Sequence, residues 1–354
     1  MFYKIMRLRK YYDVVRSNSS FSKASFNQKR KISLNILRFL RMNLVKPLIV
    51  NNKPVIAQIE PTSECNLNCE MCIRDKVGVP IGTMSFENFK KILDKLDSLF
   101  KLHLSGQGES FMNPEIFDMI KYANEKGVTV FFASNGTLLT PSVIEKICEV
   151  DIGEIGVSID SPKKEKFEKI RKNADFDKVK SNIKNLVREL KKNNKKTIVS
   201  IGAILFKDNV DEFVDFINLA EEVGVKKIGF QTLQTKANYV ENYGEGVKGK
   251  GVEGFKGLKK KMDDAKKFAK EKGISLIFDE EKSPGCVWPW RSIYVTWDGY
   301  VTPCCKILDY RRPYFGNILK DDFWDIWNGP LYQGFRKLLR ERRAPEGCVG
   351  CNRV

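Results

Sequence analysis

The sequence predicts a parallel α/β protein built from six successive β-then-α units. Three observations carry that expectation. Short apolar runs of strand character alternate with longer amphipathic runs from residue 54 onward, six such units fit in under 220 residues, and turn or capping signals punctuate them. Repeated β-then-α order implies a parallel sheet, either open and doubly wound or a partial barrel. In both, chemistry collects at the C-terminal ends of the strands.

The elements read in order as follows. Residues 55–59 form the first strand, and Phe86, Phe89, Leu93, Leu96 and Phe100 then recur at helical spacing. A second strand covers 101–105, a helix closed by Gly127 covers 114–126, and a third strand covers 128–133. Thr140 before Pro141 is an N-cap followed by a first-turn proline. Strands at 153–159, 197–205 and 226–231 follow, with helical stretches at 163–192 and 210–223. A helix at 258–272 and a strand at 274–278 come next, before a C-terminal segment rich in Trp, Gly, Pro and Cys. Between them, 244–257 holds six glycines in fourteen residues and reads as a flexible connection or mobile loop. Its two phosphate-loop lookalikes, at 244–251 and 249–254, follow no strand and lack the context that aims backbone amides at a phosphate.

Charge and cysteine usage narrow the chemistry. The 354 residues carry 62 Lys and Arg against 44 Asp and Glu, a formal +18. Residues 1–50 hold twelve of those bases and a single acid, Asp13, so that segment alone supplies +11. Such an excess raises nucleic acid or an anionic membrane as partners. Nine cysteines against one histidine, His103, argue against histidine acid/base catalysis and histidine-ligated zinc, and leave metal chemistry to thiolates. No secretory signal or apolar membrane span is legible, so a reducing cytoplasm without disulfides is expected.

Just after the first strand comes Glu60-Pro-Thr-Ser-Glu-Cys65-Asn-Leu-Asn-Cys69-Glu-Met-Cys72, a Cys-x3-Cys-x2-Cys array. Three thiolates within eight residues can hold three corners of an iron–sulfur cluster and leave one iron open. A structural zinc knot is the competing reading, but it wants four closed ligands and no fourth Cys or His lies near.

On these residues the chain resembles the radical S-adenosylmethionine (SAM) superfamily over roughly 54–232, which implies a partial (β/α)6 TIM-like barrel. The resemblance implies that Cys65, Cys69 and Cys72 hold a 4Fe-4S cluster whose open iron binds SAM, and that one-electron reduction by an external donor such as ferredoxin or flavodoxin yields methionine and a 5′-deoxyadenosyl radical. Met71 then resembles the residue packing near the adenine, and Ser105-Gly106-Gln107-Gly108-Glu109-Ser110 the segment that contacts the SAM amino group, with departures at Gln107 and Ser110. Ser134, Asn135 and Ser158 look like ribose and carboxylate contacts, and Arg171 like the arginine that pairs with the SAM carboxylate. Each has a plainer alternative: a turn at Asn135-Gly136, a strand end at Ser158, a solvated base in a Lys-rich helix at Arg171.

In the C-terminal segment, β-branched and aromatic runs at 293–297 and 300–302 flank Asp298-Gly299, a hairpin signal that brings Cys286 and Cys304 to one end, where Cys348-Val-Gly-Cys351 completes a four-sulfur site. Twelve residues separate Cys286 from Gly299 and four separate Gly299 from Cys304, a pattern that resembles the auxiliary-cluster extension of SPASM and twitch radical SAM enzymes. Because the chain stops three residues after Cys351, the resemblance implies the shorter form, one auxiliary 4Fe-4S cluster on Cys286, Cys304, Cys348 and Cys351; zinc is again the alternative. Cys305 is a spare or alternative ligand, and Cys148 and His103 are expected core residues.

The expected organisation is therefore a basic amphipathic extension at 1–50, the barrel at 51–235, a Gly/Lys-rich connection with one helix and strand at 236–280, and a cluster module at 281–354. The extension has three options: packing on the barrel, docking a leader peptide, or lying on an anionic membrane. The leading function is an oxidoreductase that abstracts hydrogen from a peptide, protein or small molecule and passes an electron to the auxiliary cluster. RNA modification, raised by the +18 charge, and a non-catalytic iron–sulfur electron carrier are the alternatives. Asp160, Gln231, Trp290 and Arg291 stand where a substrate could lie.

Overall fold

The computed structural model describes residues 19–78, 80–233, 243–279, 286–307, 314–349 and 351. Residues 1–18 of the basic extension, 236–242 and 280 of the expected connection, and 281–285, 308–313, 350 and 352–354 of the C-terminal module lie outside the described residues.

Nine strands form one sheet: β1 (Ile56–Ile59), β2 (Lys101–Leu104), β3 (Thr129–Ser134), β4 (Ile152–Ser158), β5 (Ile198–Leu205), β6 (Lys227–Thr232), β7 (Ser275–Phe278), β8 (Ser292–Val295) and β9 (Val301–Thr302). Their order is β9-β8-β1-β2-β3-β4-β5-β6-β7, and every pair is parallel except β8 with β9. The six expected strands are neighbours in chain order, as in a barrel and unlike a doubly wound sheet. The sheet also curls. Lys101 at the start of β2 experiences the charge of Lys227 at the start of β6, four strands away, which a flat sheet would hold roughly 19 Å apart.

Alternation along the strands separates two faces. Ala57, Ile59, Leu102, Leu104, Val130, Phe132, Ile155, Val157, Ile201, Ile228 and Phe230 are buried in one continuous core. They pack beneath α2 (Phe86–Lys95), α3 (Ile116–Glu125), α4 (Pro141–Glu149), α6 (Phe176–Lys192) and α7 (Phe213–Glu222), whose Phe89, Ile120, Ile144, Ile183 and Phe216 belong to the same core. The caps are those the sequence announces. Thr140 accepts the Val143 amide ahead of Pro141, and Ser85 and Asp175 cap the helices that follow them.

Three segments differ from expectation. The stretch 163–192 is two helices, α5 (Lys164–Ile170) and α6, because Arg171–Lys172 leaves the helix to pair antiparallel with Asn68–Cys69. The glycine-rich stretch is not a loose connection where it is described: Tyr243 and Val247 are buried against Met71, Ile73, Ile170 and Phe206, and Lys207 hydrogen-bonds the Lys250 and Gly249 carbonyls. The hairpin strands are shorter than expected, 292–295 and 301–302, with Gly299 in the left-handed region at φ +88°. Its first strand pairs with β1, so the C-terminal module shares the barrel's own sheet.

The basic segment packs on the barrel from residue 19 onward. Helix α1 (Phe26–Val45) buries Ile32, Ile36 and Phe39 against Val55 and Phe100, the residues just ahead of β1 and β2. Its buried Asn35 donates to the Lys53 carbonyl at 3.0 Å and accepts the Lys53 amide at 2.9 Å. Lys23, Lys31 and Lys53 meet Asp151 and Asp97 in ion pairs. Replacing Asn35 by Ala strands a buried amide and a buried carbonyl, and is expected to cost about 2 kcal/mol in urea unfolding of the apo protein.

Candidate functional site

The loop that leaves β1 carries the three cysteines over the C-terminal end of the sheet. Glu60, the first residue after β1, accepts the Tyr294 hydroxyl of β8 at 2.6 Å and the Gln107 amide at 2.9 Å. Burial, only partly offset by these hydrogen bonds, holds its carboxyl above the usual range. The next turn, Ser105–Glu109, lies flat against this loop. The Glu109 amide donates to the Glu64 carbonyl at 2.8 Å, and a Cβ at Gly108 would run into the Thr62 and Glu64 carbonyls. Only glycine permits that approach.

Both Glu109 oxygens are used within the protein. One accepts the Ser134 hydroxyl at 2.9 Å, the other the Asn135 amide at 2.6 Å, and burial again raises the carboxyl. Asn135 in turn reaches the cysteine loop. Its amide donates to Asn66 Oδ1 at 2.9 Å and stands 3.9 Å from Cys65 Sγ, while its Oδ1 accepts from Thr137. Three strand ends are thus laced to the loop through side chains that the Gly-Gln-Gly-Glu and Ser-Asn-Gly-Thr motifs placed there.

Arg171 completes the ring. As the residue that stops α5, it pairs by backbone with Cys69, stands 2.8 Å from the fully buried Asp160, and brings Nη1 to 4.0 Å from Cys69 Sγ. Burial alone would lower its pKa; Asp160 and the Cys69 and Cys65 thiolates outweigh it and raise it. Arg171 Nε and Asp160 Oδ2 both remain buried without a directed hydrogen bond among the described residues. That leaves a donor beside Cys69 with room for an anionic partner. Ser158 sits at the end of β4 on the inner face, opposite Gly202. Met71 is buried in the apolar cluster with Ile170, Phe206 and Val247.

The donor set fits a cluster better than a single ion. Among the described residues no three Cys, His, Asp or Glu side chains gather round one point a metal ion could occupy, whereas zinc needs four donors about 2.3 Å from a common centre. Burial pushes the Cys69 thiol up to about 11, so loading a cluster means displacing its proton.

In the C-terminal module, Cys348 is buried in the main core, and Cys351 hydrogen-bonds back to the Cys348 carbonyl at 2.9 Å. A Cβ on Gly347 would lie 3.3 Å from the Ile307 side chain, so the terminal Cys-x2-Cys stands beside the turn that carries Cys304. Cys304 and Cys305 hydrogen-bond each other, and that bond together with burial raises the Cys305 thiol. Arg336, fully buried, ties this module to the barrel through the Pro289 and Leu48 carbonyls and Asn328.

Comparison with known proteins agrees with this geometry. Residues 59–220 match the radical SAM superfamily and residues 286–352 an iron–sulfur cluster-binding domain, SPASM; the two spans together exceed half of the chain. The chain belongs to the radical SAM superfamily and carries a C-terminal SPASM domain. It is 25% identical over 338 residues to a tungsten-containing aldehyde ferredoxin oxidoreductase cofactor-modifying protein of Pyrococcus furiosus, covering 83% of this chain and 86% of that one. It is 26% identical to the antilisterial bacteriocin subtilosin biosynthesis protein AlbA of Bacillus subtilis, covering 78% and 60%. Streptococcus suis SuiB bound to the precursor peptide SuiA shares its fold with a TM-score of 0.69 at 16% identity, over 90% of this chain and 74% of that one. As a radical SAM SPASM enzyme the protein uses SAM, a 4Fe-4S cluster and auxiliary iron–sulfur chemistry.

Several expected site residues take other places. Trp290 is fully buried and donates to the Pro47 carbonyl, so it is core and lines no pocket. Asp160 is committed to Arg171 and the Ile204 amide. Gln231 lies exposed on the inner face of β6, and Arg291 is half-buried beside His103 and Lys101. His103 is not in the helix-facing core; it points to the inner face and stacks near Phe131 at 5.3 Å. The inner-face bases Lys101 and Lys227 and the carboxylate Glu154 were not singled out, since alternation marks a strand's faces without saying which becomes a lumen.

Replacing Arg171 by Ala leaves the Asp160 carboxylate buried and unpaired, which is expected to destabilise the apo protein by about 3 kcal/mol. Adding Asp160→Asn is expected to restore more than half of that loss; urea unfolding of the two variants measures both.

Proposed function

We propose that this protein is a SAM-dependent oxidoreductase that abstracts a hydrogen atom from a peptide or a cofactor-type small molecule and passes an electron to an auxiliary cluster. Bound at Cys65, Cys69 and Cys72, the 4Fe-4S cluster supplies reductive cleavage of SAM to a carbon radical. The observation that supports the reading is the lacing of three strand ends to that cysteine loop, so that every proposed contact borders one space. In this reading the backbone of Gln107 and Gly108 faces the SAM amino group, with Glu109 fixing the turn. Ser134, Asn135 and Ser158 border the ribose, the open Nε of Arg171 takes the carboxylate, and Met71 lies against the adenine. Cys286, Cys304, Cys348 and Cys351 hold one auxiliary 4Fe-4S cluster, and a ferredoxin or flavodoxin donates the first electron. The printed activities of the relatives, cofactor modification and bacteriocin biosynthesis, support a peptide or cofactor substrate. The organisation that goes with it is 1–50 as extension, 51–235 as barrel, 236–280 as connection and 281–354 as cluster module.

Anaerobic reconstitution is expected to load about eight irons and, with dithionite and SAM, to release 5′-deoxyadenosine. Cys65→Ala is expected to abolish that product, while Cys348→Ala loses about four irons and keeps it. Loss of both irons and product in Cys348→Ala alone, with Cys65→Ala unaffected, overturns the assignment.

We also propose that α1 meets an anionic bilayer. Its outer face carries Leu34, Leu37, Leu44 and Val45 beside Arg38 and Arg41, with Leu37 and Leu44 each 62% exposed, opposite the face that packs on the barrel. Vesicles rich in phosphatidylserine are expected to sediment the protein, with neutral vesicles and the Leu37→Glu/Leu44→Glu variant losing most of that binding.

A further inference from the structure

The inner face of the sheet carries a charge arrangement that the SAM site does not use. Alternation with the helix-facing core places Lys101 and His103 of β2, Phe131 of β3, Glu154 of β4, Ser200 of β5 and Lys227 of β6 on this face. Glu154 is spoken for: Lys227 Nζ lies 2.8 and 2.6 Å from its two oxygens, and Ser200 donates to it at 2.7 Å. Lys101 has no carboxylate partner of its own among the described residues. Its ammonium sits 3.5 Å over the Phe131 ring, and it shares the lower lumen with Arg291 and His103. Three cations therefore share one carboxylate. Burial first, then Lys227 and Arg291, bring the Lys101 pKa down to about 8. Burial and the same cations bring His103 down to about 3, so at neutral pH it adds no charge.

Above these residues the wall is bare. Gly156, Gly202 and Gly229 occupy inner-face positions on β4, β5 and β6, with Gly202 and Gly229 directly paired. A Cβ added at Gly229 would meet nothing within 4 Å, and one at Gly202 only the Val157 carbonyl at 4.0 Å. Inner-face space next to the glycines is thus left for a molecule. From Lys101 to Ser105, where the SAM loop begins, four residues of strand rise about 13 Å.

We propose that the barrel lumen binds a substrate through a carboxylate seated on Lys101. That group lies about 13 Å from the reacting carbon, so the substrate is at least the length of a short extended peptide or an equally broad multi-carboxylate molecule. The inference rests on the proposed function in one respect, that the reacting carbon lies at the SAM end. The lumen favours an anion because the only carboxylate there is already neutralised, and a buried ammonium without a counter-ion gains most from a charge-assisted hydrogen bond.

The test uses reconstituted holoenzyme and two matched probe pairs: a C-terminally amidated hexapeptide with one Glu against its Gln counterpart, and a four-carboxylate porphyrin against its tetramethyl ester. Acetylation at pH 8, read by peptide mass spectrometry, reports the Lys101 amine directly on the unaltered chain. The acid member of at least one pair is expected to protect Lys101 from acetylation, while its uncharged counterpart does not; the protecting pair tells the peptide source from the small-molecule one. Lys101→Met is expected to weaken binding of that probe by about tenfold to a hundredfold, and Lys101→Arg to retain most of it. Equal protection by acid and uncharged probes, protection by neither pair, or undiminished binding to Lys101→Met overturns the proposal. Release of 5′-deoxyadenosine by the same wild-type preparation without probe reports the SAM reading separately, so failure of one is not mistaken for failure of the other.

Discussion

The buried carboxylate of Glu60 is the joint on which the site depends. It follows the last residue of β1, the strand paired on both sides, and its partners come from both neighbours: the Gln107 amide beyond β2 and the Tyr294 hydroxyl of β8. One group therefore sets the start of the cysteine loop, the pose of the glycine turn that follows β2, and the seat of the SPASM strand. A raised carboxyl in such a position would rather be neutral, and only the converging donors hold it. The close approach of Gly106 to the same side chain leaves it no alternative rotamer. The two cluster regions, more than two hundred residues apart in the chain, are in this way fixed to one another by short polar contacts on a shared sheet.

Much of this was legible in the sequence because it is local. Strand periodicity, the Thr140-Pro141 cap and the cysteine spacings are short-range signals, and the elements stand where those signals put them. What escaped depends on distant partners. Lys169-Ile-Arg171-Lys reads as helix in a Lys-rich stretch, yet the backbone of Asn68–Cys69 offers Arg171 a strand partner and Asp160 a buried counter-charge, and together these outweigh one more turn of helix. The glycines after 243 read as loose chain, but Tyr243 and Val247 between them had an apolar cluster around Met71 to enter. Trp290 looked like a pocket wall beside a cysteine and proved to be the plug between α1 and the SPASM helix, where its indole nitrogen finds the Pro47 carbonyl.

The charge excess reads differently once α1 is placed. Its bases answer Asp97 and Asp151 on the barrel, and its apolar inner face covers Val55 and Phe100 at the N-terminal ends of β1 and β2. A radical intermediate is quenched by stray solvent hydrogen donors and by reducing thiols, so a partial barrel that does such chemistry gains from cover at the end remote from SAM. The helix supplies that cover without entering the lumen.

That cover also explains why Lys101 matters more than its surface counterparts. Lys53, a short distance along the chain direction from β1, meets Asp97 and loses little by remaining there. Lys101 begins the neighbouring strand but points inward, under α1 and against Phe131, where water is scarce and the one nearby carboxylate is held by Lys227. An ammonium kept in that state is costly to the fold, and the chain has not replaced it with the apolar residue that the same position would tolerate for packing. With a single histidine held neutral beside it, the lumen has this amine as its nearest-neutral titrating base, so binding and proton handling for a carboxylate substrate fall to the same side chain.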